Sequence, residues 1–241
     1  MLKRILLLSV FMTASAAYAD SFSDVAKDYI YGDYQDSLAK AQAFSHNAQG
    51  MYLTGLNNLK LGEYVKARGC FKAVIALGTH DMLSDQARIK IADTYFLEKN
   101  YPQAKQEYLI LKSSSVAGNF LPLIYLRLAQ IASKGGNWQE EADYLNKIKA
   151  QYPKSAEMKY AELLQTHGDF FTVQVGAFSS IENANEIKNG LKGRYDTYLV
   201  KEGLPALAIY KVRVGRFTRR ESAEVACEKL VNEGYPAIVY P

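Results

Sequence analysis

The sequence predicts two domains, an all-α helical solenoid followed by an α+β domain of order βαββαβ, and three observations carry that expectation. Between residues 20 and 165 a Gly or Asn, an aromatic and a small residue recur together. Their aromatics, Tyr34, Tyr64, Tyr101 and Trp138, are spaced 30, 37 and 37 residues apart, the period of stacked helical hairpins. Near the C-terminus the pattern V-x-V-G-x-F occurs over 173–178 and again, 39 residues later, over 212–217. A chain of 241 residues, 49% of them hydrophobic, is long enough to bury a core in each part.

Residues 1–19 read as a signal peptide. Lys3 and Arg4 form a charged start, residues 5–12 an apolar run, and Ala17 and Ala19 a small-x-small cleavage site before Asp20. The alternative is a membrane anchor, but the run falls below the roughly 20 residues of a spanning helix. No cysteine follows the small residues, which argues against a lipid-anchored form. The expected product is exported to the periplasm or cell envelope and has no membrane span after cleavage.

Residues 20–166 are expected to be helical throughout. The recurring element appears at Gly32, Tyr34 and Ser37, at Gly62, Tyr64 and Ala67, at Asn100, Tyr101 and Ala104, and at Asn137, Trp138 and Ala142. Gly55 and Ala92 fall twelve residues before Ala67 and Ala104, where paired helices must approach closely, and Phe71 and Tyr108 fall four after them. This array resembles the tetratricopeptide repeat (TPR), with three clear copies, a partial first one and an interruption at 113–119. The resemblance implies a stack of helix pairs whose concave side holds a protein partner, as yet unidentified. The aromatics are expected in the core. Gly168 reads as a helix stop leading by a very short linker into the second domain.

Residues 167–241 read as β-α-β twice over, the split pattern of a ferredoxin-like sandwich. Each V-x-V-G-x-F strand, with its glycine expected at the strand end, runs into a capping-box pattern, Ser179 with Glu182 and Thr218 with Glu221. Apolar stripes follow, at Ile181, Ala184, Ile187 and Leu191 and at Ala223, Ala226, Cys227 and Leu230. These residues, with 234–239 closing the chain, resemble a SPOR (sporulation-related) domain. That family comprises bacterial envelope modules that bind peptidoglycan glycan strands lacking stem peptides.

Enzyme chemistry finds no support in the motifs. His46, His80 and His167 are scattered, and no nucleophile elbow, Walker or dinucleotide pattern occurs, so no catalytic residue, cofactor or metal is expected. A net charge of +4 and a pI near 8.8 are too mild to indicate nucleic acid. The central strands also present no outward aromatic pair for stacking bases. Cys70 and Cys227, one in each domain, are expected as buried reduced thiols, with a disulfide as the alternative.

Strand parity places Thr172, Gln174, Lys211 and Arg213 on the face opposite the inward valines. The resemblance implies that this face binds glycan. Gln174 stands at the family's characteristic strand glutamine, Lys211 where members often carry Arg, and Ala177 where many carry Ser. Gln174 supplies an amide for hydroxyl and N-acetyl groups, and Lys211 and Arg213 supply cations for the lactyl carboxylates of stripped muramic acid. Without the resemblance the four read as ordinary solvated sheet residues. The expectation is a non-enzymatic peptidoglycan-binding protein with a protein partner on its helices. The alternative is a TPR scaffold of an envelope assembly or secretion complex whose SPOR fold no longer binds glycan.

Overall fold

The structure is a computed structural model that describes residues 22–77, 82–113, 118, 120–165, 168–203 and 207–241. The signal-peptide expectation, His80, His167 and most of the 113–119 interruption lie outside the described residues. By contacts the chain divides into two compact units, Met1–Phe120 and Leu121–Pro241.

The first unit is helical: α1 over residues 22–31, then α2 (Tyr34–Ala41), α3 (Ala48–Lys60), α4 (Tyr64–Ala76), α5 (Met82–Leu97) and α6 (Tyr101–Lys112). From α2 onward each packs on the next. The recurring sequence element is the turn that joins the two helices of a pair. Gly32, Gly62 and Lys99 take left-handed φ values of 94°, 78° and 62°. The next residue's amide bonds to the carbonyl five residues back, Asp33 to Asp28, Glu63 to Asn58 and Asn100 to Tyr95, at 2.8–2.9 Å. This is a helix C-terminus closed by a left-handed residue, where glycine meets no Cβ penalty. The aromatic then opens the following helix, at Tyr34, Tyr64 and Tyr101.

Those aromatics are half-buried, which corrects the expectation that they form the core. Tyr34 packs at a tilt against Tyr29 and Tyr101 lies edge-on to Phe96, both at 5.6 Å, so each braces the turn it opens. The buried position comes three residues later: Ser37, Ala67 and Ala104 are all 0% exposed. A Cβ on Gly55 would sit 2.6 Å from the ring of Phe71, the close approach that the spacing implied. Two pairs of buried polar side chains bond across the helices. Asn57 Nδ2 donates to Ser37 Oγ at 2.8 Å, and Tyr108 OH donates to Asp93 Oδ1 at 2.6 Å.

The second unit begins with three helices, α7 (Leu121–Lys134), α8 (Trp138–Gln151) and α9 (Glu157–Gln165). The same turn recurs between α7 and α8, with Gly136 at φ 71° and Asn137 N bonded to Ala132 O at 2.9 Å. In this copy the buried residue three after the aromatic is Glu141 rather than the small Ala142, which marks its degeneracy. There follow β1 (Phe171–Phe178), α10 (Ile181–Leu191), β2 (Thr197–Glu202), β3 (Ile209–Phe217), α11 (Arg220–Asn232) and β4 (Ile238–Tyr240). The strands form one antiparallel sheet in the order β2-β3-β1-β4, with β1 and β3 as the central pair. Under α10 and α11 the sheet buries Phe171, Val173, Val175, Val212 and Val214 against Ala184, Leu191, Ala223 and Leu230.

The sequence divides helices from strands at residues 166–167, whereas packing groups α7–α9 with the sheet. Trp138 lies 5.1 Å from Phe171, and Arg220 Nη1 donates to Lys134 O at 3.4 Å and to Pro241 O at 3.2 Å. Local geometry departs from expectation at two further points. Ser180, not Ser179, caps α10, accepting from Asn183 N at 3.2 Å, and α11 has no side-chain cap at all. The motif glycines lie inside their strands, at register shifts in β1 beside Gly176 and in β3 beside Gly215. A Cβ at either would come within 2.5 Å of the ring two residues on, Phe178 or Phe217. G-x-F therefore records a ring folded back over a bulged strand.

Candidate functional site: the open face of the sheet

Cross-strand register defines what shares the face away from α10 and α11. Gln174 stands opposite Arg213, Arg213 opposite Tyr198, Lys211 opposite Val200, Glu202 opposite Ile209, Thr172 opposite Tyr240 and Gln174 opposite Ile238. The four residues expected from parity are thus brought onto one face. Beyond the bulge in β1, Ala177 pairs with Lys211 and stays exposed.

They do not share one environment, and two expectations are corrected. Thr172 is 1% exposed; its Oγ1 donates to Val214 O at 3.0 Å and accepts from Tyr198 OH at 3.1 Å. Its hydroxyl is consumed within the sheet. Arg213 is 4% exposed, with its guanidinium 3.9 Å from the centre of the Tyr240 ring and Nη2 3.6 Å from Glu202 Oε1. Lys211 Nζ donates to Glu202 Oε2 at 2.5 Å. The two cations are therefore not a free positive patch, because one carboxylate from β2 engages both. Gln174 remains half-exposed, and its amide makes no hydrogen bond among the described residues. Of the four, it alone keeps its full hydrogen-bonding capacity for a ligand.

Sequence reasoning missed Tyr198, Glu202 and Tyr240. Tyr198 and Tyr240 stand on the two edge strands and lean over the central pair, and Arg216 stacks on the Tyr198 ring at 4.5 Å while pairing with Asp196 at 3.5 Å. Parity could have found Tyr198, which alternates with the inward Leu199. The repeat could not, because 39 residues on from Tyr198 stands Ala237. The face is chemically an amide set between two tyrosines and a three-member charge cluster. Such a surface suits ring stacking and hydrogen bonding to neutral hydroxyl and amide groups. It holds no nucleophile–base pair, and among the described residues no group of three His, Cys, Asp or Glu side chains could hold a metal.

Residues 168–241 match the SPOR domain family and residues 124–155 match the tetratricopeptide repeat. No curated protein matches the chain. Among solved structures, the chain is similar to the peptidoglycan-binding domain of the B. subtilis cell wall lytic enzyme CwlC, with 25% identity and a TM-score of 0.25 over 30% of this chain and 86% of that one. It is also similar to Pseudomonas aeruginosa pilF, with 17% identity and a TM-score of 0.42 over 59% of this chain; the match spans 64% of that chain, under two thirds of its length. Residues 168–241 are a SPOR domain, carried behind helices that include a tetratricopeptide repeat at 124–155.

Proposed function

We propose that this is a non-enzymatic, exported peptidoglycan-binding protein. Its SPOR domain takes glycan strands lacking stem peptides on the open sheet face, and its helical part holds a protein partner. The supporting observation is that face: in a domain of the SPOR family, the half-exposed amide of Gln174 is left unpartnered between Tyr198 and Tyr240. Sugar rings offer that surface flat apolar faces for the tyrosines and hydroxyl and N-acetyl groups for the amide. No helix among the described residues is long and apolar enough to cross a membrane. Placement in the envelope accordingly rests on the signal-peptide reading of residues 1–19.

A second reading is favoured by the engagement of Lys211 and Arg213 with Glu202, which leaves the face less cationic than a carboxylate-binding site requires. In that reading the helices act as a scaffold and the sheet binds no glycan. Pull-down of the full chain on purified sacculi separates the two. The expected result is retention on amidase-stripped sacculi above untreated ones, reduced by Gln174→Ala. Equal retention on both would remove the requirement for stripped glycan, and no retention on either would favour the scaffold.

A further inference from the structure

One residue ties the charges of the open face together. Glu202 ends β2 on the same face as Lys211 and Arg213, accepting from Lys211 Nζ at 2.5 Å and lying 3.6 Å from Arg213 Nη2. Arg213 is 4% exposed and its Nε–H has no hydrogen-bond partner, so the guanidinium is incompletely satisfied where it sits. The side chains of Lys211 and Glu202 are 21% and 22% exposed, which leaves the pair within reach of a bound molecule.

We infer that Glu202 determines the specificity of this face: its carboxylate holds the place on Lys211 and Arg213 that an acidic group of the ligand would otherwise take. The inference rests on the glycan reading above. A carboxylate carried by the neighbouring strand is present at a high effective concentration, so a ligand acid reaches Lys211 only by displacing it. One ion pair is then exchanged for another, with little net gain. The protein consequently recognises the neutral hydroxyl and N-acetyl groups of the glycan and is nearly indifferent to its lactyl carboxylates. Removing the Glu202 charge converts the face into one that selects acidic glycan.

The test compares the full chain and Glu202→Gln on two substrates, amidase-stripped sacculi and the same sacculi with their carboxyl groups converted to neutral methyl esters. Wild type is expected to bind the two within about twofold. Glu202→Gln is expected to bind the acidic form roughly fivefold more tightly than wild type does, the scale of one ion pair, and to lose that gain on the esterified form. A folded Glu202→Gln with unchanged or weaker affinity for the acidic form overturns the inference. So does a wild type that loses about fivefold or more on esterification, a comparison that decides the matter even if the variant does not fold. Absence of wild-type binding to either substrate overturns the glycan reading, and this inference with it.

Discussion

Lys99 offers a direct test of how the repeat turn is built. It is the only non-glycine residue with positive φ among the described residues, and it stands where Gly32, Gly62 and Gly136 stand in the other copies. It is exposed, so its replacement alters little besides the backbone. Holding an L-residue in the left-handed region costs about 1–2 kcal/mol. Glycine removes that strain but returns about 0.4–1 kcal/mol as extra freedom of the unfolded chain. Lys99→Gly should therefore stabilise the first unit by about 0.5–1 kcal/mol, a rise in Tm of roughly 3–6 °C for a domain of this size. Gly62→Ala is the mirror experiment. A Cβ there meets nothing within 4 Å, so its cost of about 1 kcal/mol is purely conformational. Urea unfolding followed by far-UV circular dichroism measures both, while Trp138, the only tryptophan, gives a separate fluorescence probe of the second unit. A neutral or destabilising Lys99→Gly, or a Gly62→Ala without cost, would refute the account of the turn.

Three further outcomes follow from the packing. Gly136→Ala should cost more than Gly62→Ala, because its Cβ would also press on the Phe171 ring at 3.1 Å; equal costs would show that α8 does not pack on the sheet as described. Arg213→Glu buries a second carboxylate beside Glu202 and should destabilise the second unit by about 3–5 kcal/mol, whereas Gln174→Ala should stay within about 0.5 kcal/mol of wild type; a stable Arg213→Glu by urea titration would contradict the burial of Arg213. Both cysteines are free but half-buried rather than buried as expected. Partial burial raises both thiol pKa values, at Cys70 chiefly by desolvation against a weak bond from Asn58, and at Cys227 by desolvation together with Glu224. Alkylation of either should thus be slow at neutral pH and accelerate only above the ordinary thiol range; rapid labelling at neutral pH would contradict this.

The fold was legible where a single period controls the chain. The turn residues Gly32, Gly62 and Gly136 and the valines of 173–175 and 212–214 follow from local stereochemistry and alternation, and they fix the helix pairs and the central strands. Less legible were features that depend on a neighbour far away in sequence. The aromatics Tyr34 and Tyr101 carry a core-like composition, yet their rings brace the preceding helix ends while a small residue three positions later is buried. The joining of α7–α9 to the sheet depends on Trp138 meeting Phe171, a contact that no window of sequence contains.

The candidate site shows the same limit more sharply. Alternation says toward which face a side chain points, and it placed Thr172, Gln174, Lys211 and Arg213 correctly on one face. It does not say what roofs that face. On a four-stranded sheet the central strands lie within reach of both edges, so Tyr198 and Tyr240 cover positions that parity treats as solvated. Charge follows the same logic, since Lys211 and Arg213 read as a cationic pair only until β2 brings Glu202 alongside. Substitutions at Thr172 and Arg213 therefore disturb folding, whatever they do to the proposed binding. Gln174, half-exposed and unpartnered, is the position at which a loss of binding can be separated from a loss of structure.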